Sequence, residues 1–170
     1  MRIAGIIKNS VVNGIGIRDV LFLQGCKHHC KGCHNPETWN IEGGEEYTID
    51  ELLEVCKLSH NDITISGGEP LLQFHEDLYH FMKRVHREQG KRFWLYTGYR
   101  YEEIPNFVLI MLSEFTDVLV DGRFELDKKD LTLQFRGSSN QRLIDLPKSV
   151  KEERIVLWED DKTCGSFGEK

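Results

Sequence analysis

Three cysteines fall within the stretch Gln24-Gly25-Cys26-Lys27-His28-His29-Cys30-Lys31-Gly32-Cys33-His34-Asn35, spaced C-x3-C-x2-C. Disulfide pairing would use two of them and strand the third. Thiolates at this density suit a soft, thiophilic metal centre instead. An iron–sulfur cube held by Cys26, Cys30 and Cys33 has four irons, so one iron keeps an open position for an outside ligand. A structural zinc site closes its fourth position, and His28, His29 or His34 is at hand to complete a Cys3His set. The spacing leaves both readings open.

The elements that must carry this loop follow from the hydrophobic pattern. Residues 19–24 form an apolar, β-branched run that reads as a buried strand, delivering the cysteines from its C-terminal end. Residues 2–7 form a matching run on the other side of the glycine-rich turn Asn13–Gly16. A capping-box signature, Thr48-Ile49-Asp50-Glu51, opens a short helix with Leu52, Leu53 and Cys56 on its apolar face, which makes Cys56 core filler. Asp62–Ser66 alternates as a strand and ends in Gly67-Gly68-Glu69-Pro70. Leu78, Phe81, Met82 and Val85 then recur at helical spacing. Residues 92–96 and 117–120 read as two further strands, ending at Thr97-Gly98 and Asp121-Gly122. The segment between them reads as helix with a break near Pro105.

Strand–loop–helix alternation predicts an α/β fold with a mostly parallel sheet and right-handed crossovers. Only about four such units precede residue 122, whereas a complete eight-unit barrel takes ~250 residues. The pattern therefore predicts an open, partial (β/α) barrel over residues 1–158. Extended segments are expected at 131–135, 143–146 and 154–158. Residues 159–170 read as a mobile acidic tail holding Cys164, an incidental thiol.

A net charge of −6 over 170 residues gives no electrostatic support to nucleic-acid binding. No window approaches the roughly 20 apolar residues of a membrane span, and the N-terminus is too short and too soon charged for a secretory signal. Five cysteines, three clustered and two isolated, do not make an even secreted framework. These features predict a cytoplasmic protein. Arg18, Lys27 and Lys31 form a local positive group near the cysteines, either a solvated face or an offset to a thiolate-bound cluster.

The cysteine spacing together with Ser66-Gly67-Gly68-Glu69-Pro70 resembles the radical S-adenosylmethionine (SAM) superfamily, and more closely its glycyl-radical activases. Asn13-Gly14-Ile15-Gly16-Ile17-Arg18 and Cys33-His34-Asn35-Pro36-Glu37-Thr38-Trp39 look like that group. Tyr96-Thr97-Gly98-Tyr99, Val118 to Phe124 and Arg136-Gly137-Ser138-Ser139-Asn140-Gln141 narrow the resemblance to activating proteins of anaerobic ribonucleoside-triphosphate reductase. The resemblance runs from about residue 12 to residue 142. Activases of pyruvate formate-lyase, which tend to be longer, are the nearest alternative. A zinc-stabilised interaction domain is the alternative of another class.

The resemblance implies a shortened, open barrel of the radical SAM type. It implies a [4Fe-4S] cluster on Cys26, Cys30 and Cys33, and SAM on the open iron. Reductive cleavage would yield methionine and a 5′-deoxyadenosyl radical, which takes a hydrogen from a glycine of the large reductase subunit. A low-potential donor such as flavodoxin would supply the electron. Gly67, Gly68, Glu69 and Pro70 would bind the methionyl amine. Asp121 would bind the ribose hydroxyls and Arg123 the carboxylate. Thr97 and Asn35 are further SAM-contact candidates, and residues 136–141 are either a docking loop or a polar turn. One position departs from the superfamily. The aromatic residue that often precedes the third cysteine and helps place adenine is Gly32 here, as in the reductase activases.

Overall fold

The computed structural model describes residues 1–72 and 76–159, with only the backbone of Glu76. The tail expected from residue 159, with Cys164, lies outside the described residues except for Glu159. The chain runs β1 (Arg2–Ser10), β2 (Arg18–Leu23), β3 (Glu45–Glu46), α1 (Ile49–Lys57), β4 (Asp62–Gly67), α2 (Glu76–Gln89), β5 (Phe93–Tyr96), α3 (Asn106–Ser113), β6 (Thr116–Asp121), β7 (Arg142–Asp145) and α4 (Leu146–Lys151). These strands make one seven-stranded sheet in the order β3-β1-β2-β4-β5-β6-β7. The four central strands, β2, β4, β5 and β6, are parallel. Both flanks are antiparallel, because β1 and β7 return directly beside their neighbours. The sheet is thus mixed, and parallel only in its middle.

The predicted capping box is complete. Thr48 Oγ1 accepts from Glu51 N–H at 3.2 Å, and Glu51 accepts from Thr48 N–H at 2.7 Å. The apolar stripes of α1, α2 and α3 all bury against one face of the sheet. There Leu52, Leu53, Cys56, Phe81, Met82 and Leu112 meet Leu21, Leu23, Ile63, Ile65, Leu95 and Leu119. The opposite face carries a smaller cluster of Trp94, Val118 and Val120, packed by Tyr96, Phe135, Leu143 and Trp158. One-sided helix cover leaves this second face free to line a cleft.

After residue 122 one expectation fails and another holds with its end shifted by one residue. Residues 131–135 are irregular rather than a strand. Phe135 is in the left-handed region at φ 60°, and its carbonyl accepts the Tyr96 hydroxyl at 2.7 Å. A tertiary contact from β5 decides the conformation there, not local alternation. The extended segment expected at 143–146 is β7 only as far as Asp145, and Leu146 begins α4. Asp145 caps that helix by accepting from Lys148 N–H at 3.0 Å, and Pro147 occupies its first turn. Asp followed by Leu-Pro was the signal that could have placed it.

On β2, Asp19 gathers Lys8, Ser59, Asn61 and the backbone of Asn9 around its carboxylate. Burial pushes this carboxyl up, but the combined donors outweigh it and hold it at about 2, below its ordinary 3.8. A depressed carboxyl stabilises the fold above its unfolded pKa and loses that stability as pH falls through the folded value. Between about pH 4 and pH 2, urea unfolding of the wild-type chain should therefore lose on the order of 2 kcal/mol that Asp19→Asn never had. A gap between the two proteins that stayed constant across this range would contradict that role.

Candidate active site

The C-terminal ends of the four parallel strands lie along one edge of the sheet, with Leu23 level with Gly67 and Tyr96 level with Val120. Loops at this edge of a parallel sheet are where α/β proteins build their sites. A cleft of about 470 Å³ opens here, within the usual range of small-molecule sites, roughly 300–1,000 Å³. Cys26, Cys30 and Cys33 line it, with Gly67 and Gly68 of the β4 turn, Thr97 and Gly98 after β5, and Arg123 and Phe124 after β6. Residues more than 95 positions apart in sequence therefore share one cavity.

The cysteine loop is fixed to its neighbours through backbone. Gly25 N–H donates to Thr38 O at 2.7 Å and Cys26 N–H to Trp39 O at 3.2 Å. From the other side, Glu69 N–H donates to Gly25 O at 2.8 Å. A Cβ on Gly68 would stand 2.2 Å from that Gly25 oxygen, so only glycine lets the two loops close together. Burial pushes the Cys26 and Cys30 thiols up from their ordinary value, although Arg123 draws Cys30 partly back. A bound cation reverses that effect by deprotonating the thiol it ligates.

Other predicted residues fall in different places. Asn35 lines the cleft, and its N–H donates to Cys33 Sγ at 3.4 Å. Pro70 is buried and opens a short 3-10 turn. Glu69 and Asp121 are buried too, and each carboxyl group is held inside the protein. Asp121 accepts from Arg142, including Arg142 Nε at 3.0 Å, and from Tyr101 N–H at 2.7 Å. Arg18, close to the cysteines in sequence, lies at the far end of β2. It donates there to Thr64 Oγ1 at 2.9 Å and Ile63 O at 2.8 Å, with its guanidinium 5.5 Å from the Trp94 ring centre. Lys27 and Lys31 are exposed. Cys56 is buried in the helix layer, and burial pushes its thiol up to about 11.

A protein-family model described as "4Fe-4S single cluster domain" matches residues 12–144. The anaerobic ribonucleoside-triphosphate reductase-activating protein of Salmonella typhi is 40% identical over 139 residues, covering 77% of this chain and 90% of that protein. The protein of the same name from Escherichia coli (strain K12) is 39% identical with the same coverage. That of Enterobacteria phage T4 is 38% identical over 138 residues, covering 78% and 86%. The chain belongs to this family of reductase-activating proteins.

Membership answers the question that cysteine spacing left open, a [4Fe-4S] cluster against zinc. The donor set fits the cluster. Three thiols line one cleft. Thiols set around a cavity suit a cluster, in which each iron takes its own ligand. The histidines of the loop have other engagements. His28 reaches Glu69, His29 stacks on Trp39 at 4.9 Å, and His34 packs on Phe124 at 4.8 Å.

The structure also accounts for Gly32. Its backbone is in the left-handed region at φ 77°, which favours glycine, and a Cβ there would press to 2.9 Å on the tip of the Leu126 side chain. Phe124, Phe135, Leu131 and Leu133 are cleft residues that sequence reading did not single out. An apolar residue in a loop carries no local mark that separates a ligand wall from packing. Among the described residues no helix is long and apolar enough to cross a membrane.

Proposed function

We propose that this protein is a radical SAM activase that installs a glycyl radical on the large subunit of anaerobic ribonucleoside-triphosphate reductase. The observation that carries the reading is the single cleft shared by the cysteine trio, the Gly67-Gly68 turn and Arg123. The relatives, activating proteins of that reductase, point to the partner. The sheet, with helices on one face and a cleft on the other, is read as the shortened, open form of the radical SAM partial barrel, a single domain over residues 1–158.

In this reading Cys26, Cys30 and Cys33 would hold the cluster and leave a position open for SAM. When bound, the [4Fe-4S] cluster supplies the electron that breaks the sulfonium bond of SAM. The chain's own residues supply orientation. Gly67 and Gly68 let the methionyl group approach backbone, and Arg123 offers a guanidinium to its carboxylate. Asn35 flanks the nucleoside, and Phe124 contributes an apolar surface. Glu69, Thr97, Pro70 and Asp121 shape the loops. Leu131 and Val12, 82% and 70% exposed, form an apolar lip on the same cleft, and a protein substrate would cover it. A flavodoxin-type donor and a reducing cytoplasm complete the proposal.

The test is electron paramagnetic resonance. The reconstituted chain, SAM and dithionite, mixed anaerobically with the reductase large subunit, should give a glycyl doublet. Pyruvate formate-lyase in its place should give none. A doublet with pyruvate formate-lyase alone would move the protein to the other activase group, and a fully loaded chain that never cleaves SAM would end the reading.

A further inference from the structure

Glu69 is 1% exposed and receives four hydrogen bonds from three segments of the chain. Its Oε1 accepts from Thr97 Oγ1 at 2.8 Å and Leu71 N–H at 3.0 Å. Its Oε2 accepts from Gly98 N–H at 2.7 Å and lies 2.9 Å from His28 Nε2. A carboxylate offers about four acceptor positions, and these partners occupy that number. Little capacity is left for an ammonium group arriving from the cleft.

His28 comes from the middle of the cysteine loop, two residues from Cys26 and two from Cys30. Its side chain is 7% exposed. Tyr99 meets its ring edge-on at 4.7 Å, and a Cβ on Gly98 would stand 2.4 Å from its Cδ2. The imidazole is thus confined on several sides and held by Glu69, in the tautomer that carries the proton on Nε2. Through this one carboxyl group the cysteine loop, the β4 turn and the β5 loop become a single rigid unit.

We infer that His28 is a positioning residue, and that Glu69 acts through it as an internal strut instead of as a direct ligand of the SAM amine. The inference rests on the activase reading for its SAM terms, but the latch itself does not need SAM. Its work is to hold the cysteine loop and the Gly67-Gly68 turn at one separation, so that a ligand spanning both meets a fixed distance. Side chains that hold a site in this way act through preorganisation. A loop freed from its neighbour keeps its thiols but loses the spacing.

The test uses the full chain, anaerobically loaded with cluster, as wild type, His28→Ala and His28→Gln. Glutamine keeps an N–H able to reach the same carboxyl oxygen. Both variants should hold iron and sulfide at wild-type levels. His28→Ala should bind SAM about ten-fold more weakly, with a reduced SAM-induced change in the cluster's resonance spectrum, and His28→Gln should recover to within about three-fold. Hydrogen exchange reads the latch without SAM. Amides of segments 26–33 and 97–99 should exchange about ten-fold faster in His28→Ala and return towards wild type in His28→Gln. Unchanged exchange and unchanged SAM affinity in His28→Ala would overturn the inference. So would a glutamine variant no better than alanine, or iron loss from both. A loaded wild-type chain that bound no SAM would defeat the activase reading, while the exchange result would still decide the latch.

Discussion

Alanine in place of any one of Cys26, Cys30 or Cys33 is expected to reduce SAM cleavage to the background rate. Three thiols serve three irons in the proposed site, and none is in reserve. Cys56 cannot step in, because it is 1% exposed on α1 and packs into the helix layer. Burial also holds its proton, with the thiol pushed up to about 11. Cys56→Ala should therefore cleave SAM normally while losing about 1–2 kcal/mol of stability from the small cavity it leaves. Cys164→Ala, outside the described residues, should match the wild type on the sequence reading. Iron and sulfide content beside SAM turnover checks all five variants. A Cys56 or Cys164 variant as inactive as Cys30→Ala would break the ligand assignment.

The second large effect is expected at Arg142, a residue with no mark in the sequence reading. Its guanidinium joins Asp121 at the end of β6 to Glu102, with bonds of 3.0 and 2.9 Å to the Glu102 carboxylate. Arg142 holds the Glu102 carboxyl well down, at about 2, and the two acids together raise the guanidinium above its ordinary value. The Asp121 side chain is 1% exposed. Arg142→Ala would leave it buried without its cation, a change that typically costs about 3–5 kcal/mol. Urea unfolding should show a loss near that range. Arg142→Ala with Asp121→Asn should regain part of it, because the uncompensated charge is then gone. A single variant within about 0.5 kcal/mol of wild type, the usual spread of a surface change, would show that the Tyr101 N–H suffices to hold Asp121.

Both predictions turn on the same strand-end edge, but they differ in how far sequence could see them. The cysteine trio, the capping box at Thr48 and Glu51, and the apolar stripe of α2 are local patterns. Their physics is complete within about ten residues, so they are readable without a fold. Parallel strands with site loops at their C-terminal ends followed from alternation, and Gly67, Gly68, Thr97 and Arg123 do line the cleft. The antiparallel flanks were not visible, since a strand's neighbour is set by chain return and not by its own residues. The irregular path of 131–135 was likewise decided by Tyr96, which lies 39 residues from the carbonyl it holds.

By itself, then, the sequence determined which donor atoms exist and which short elements present them, because residue type and spacing fix both. Only the tertiary structure decided which of those groups remain free to meet a ligand. Glu69 and Asp121 look alike in sequence, each an acid just beyond a strand end. Folding brings His28 and Arg142, 41 and 21 residues away, against their carboxyl groups. A buried carboxylate requires such partners, and whether it finds them inside the protein or in the cleft depends on distances that exist only once the sheet has formed.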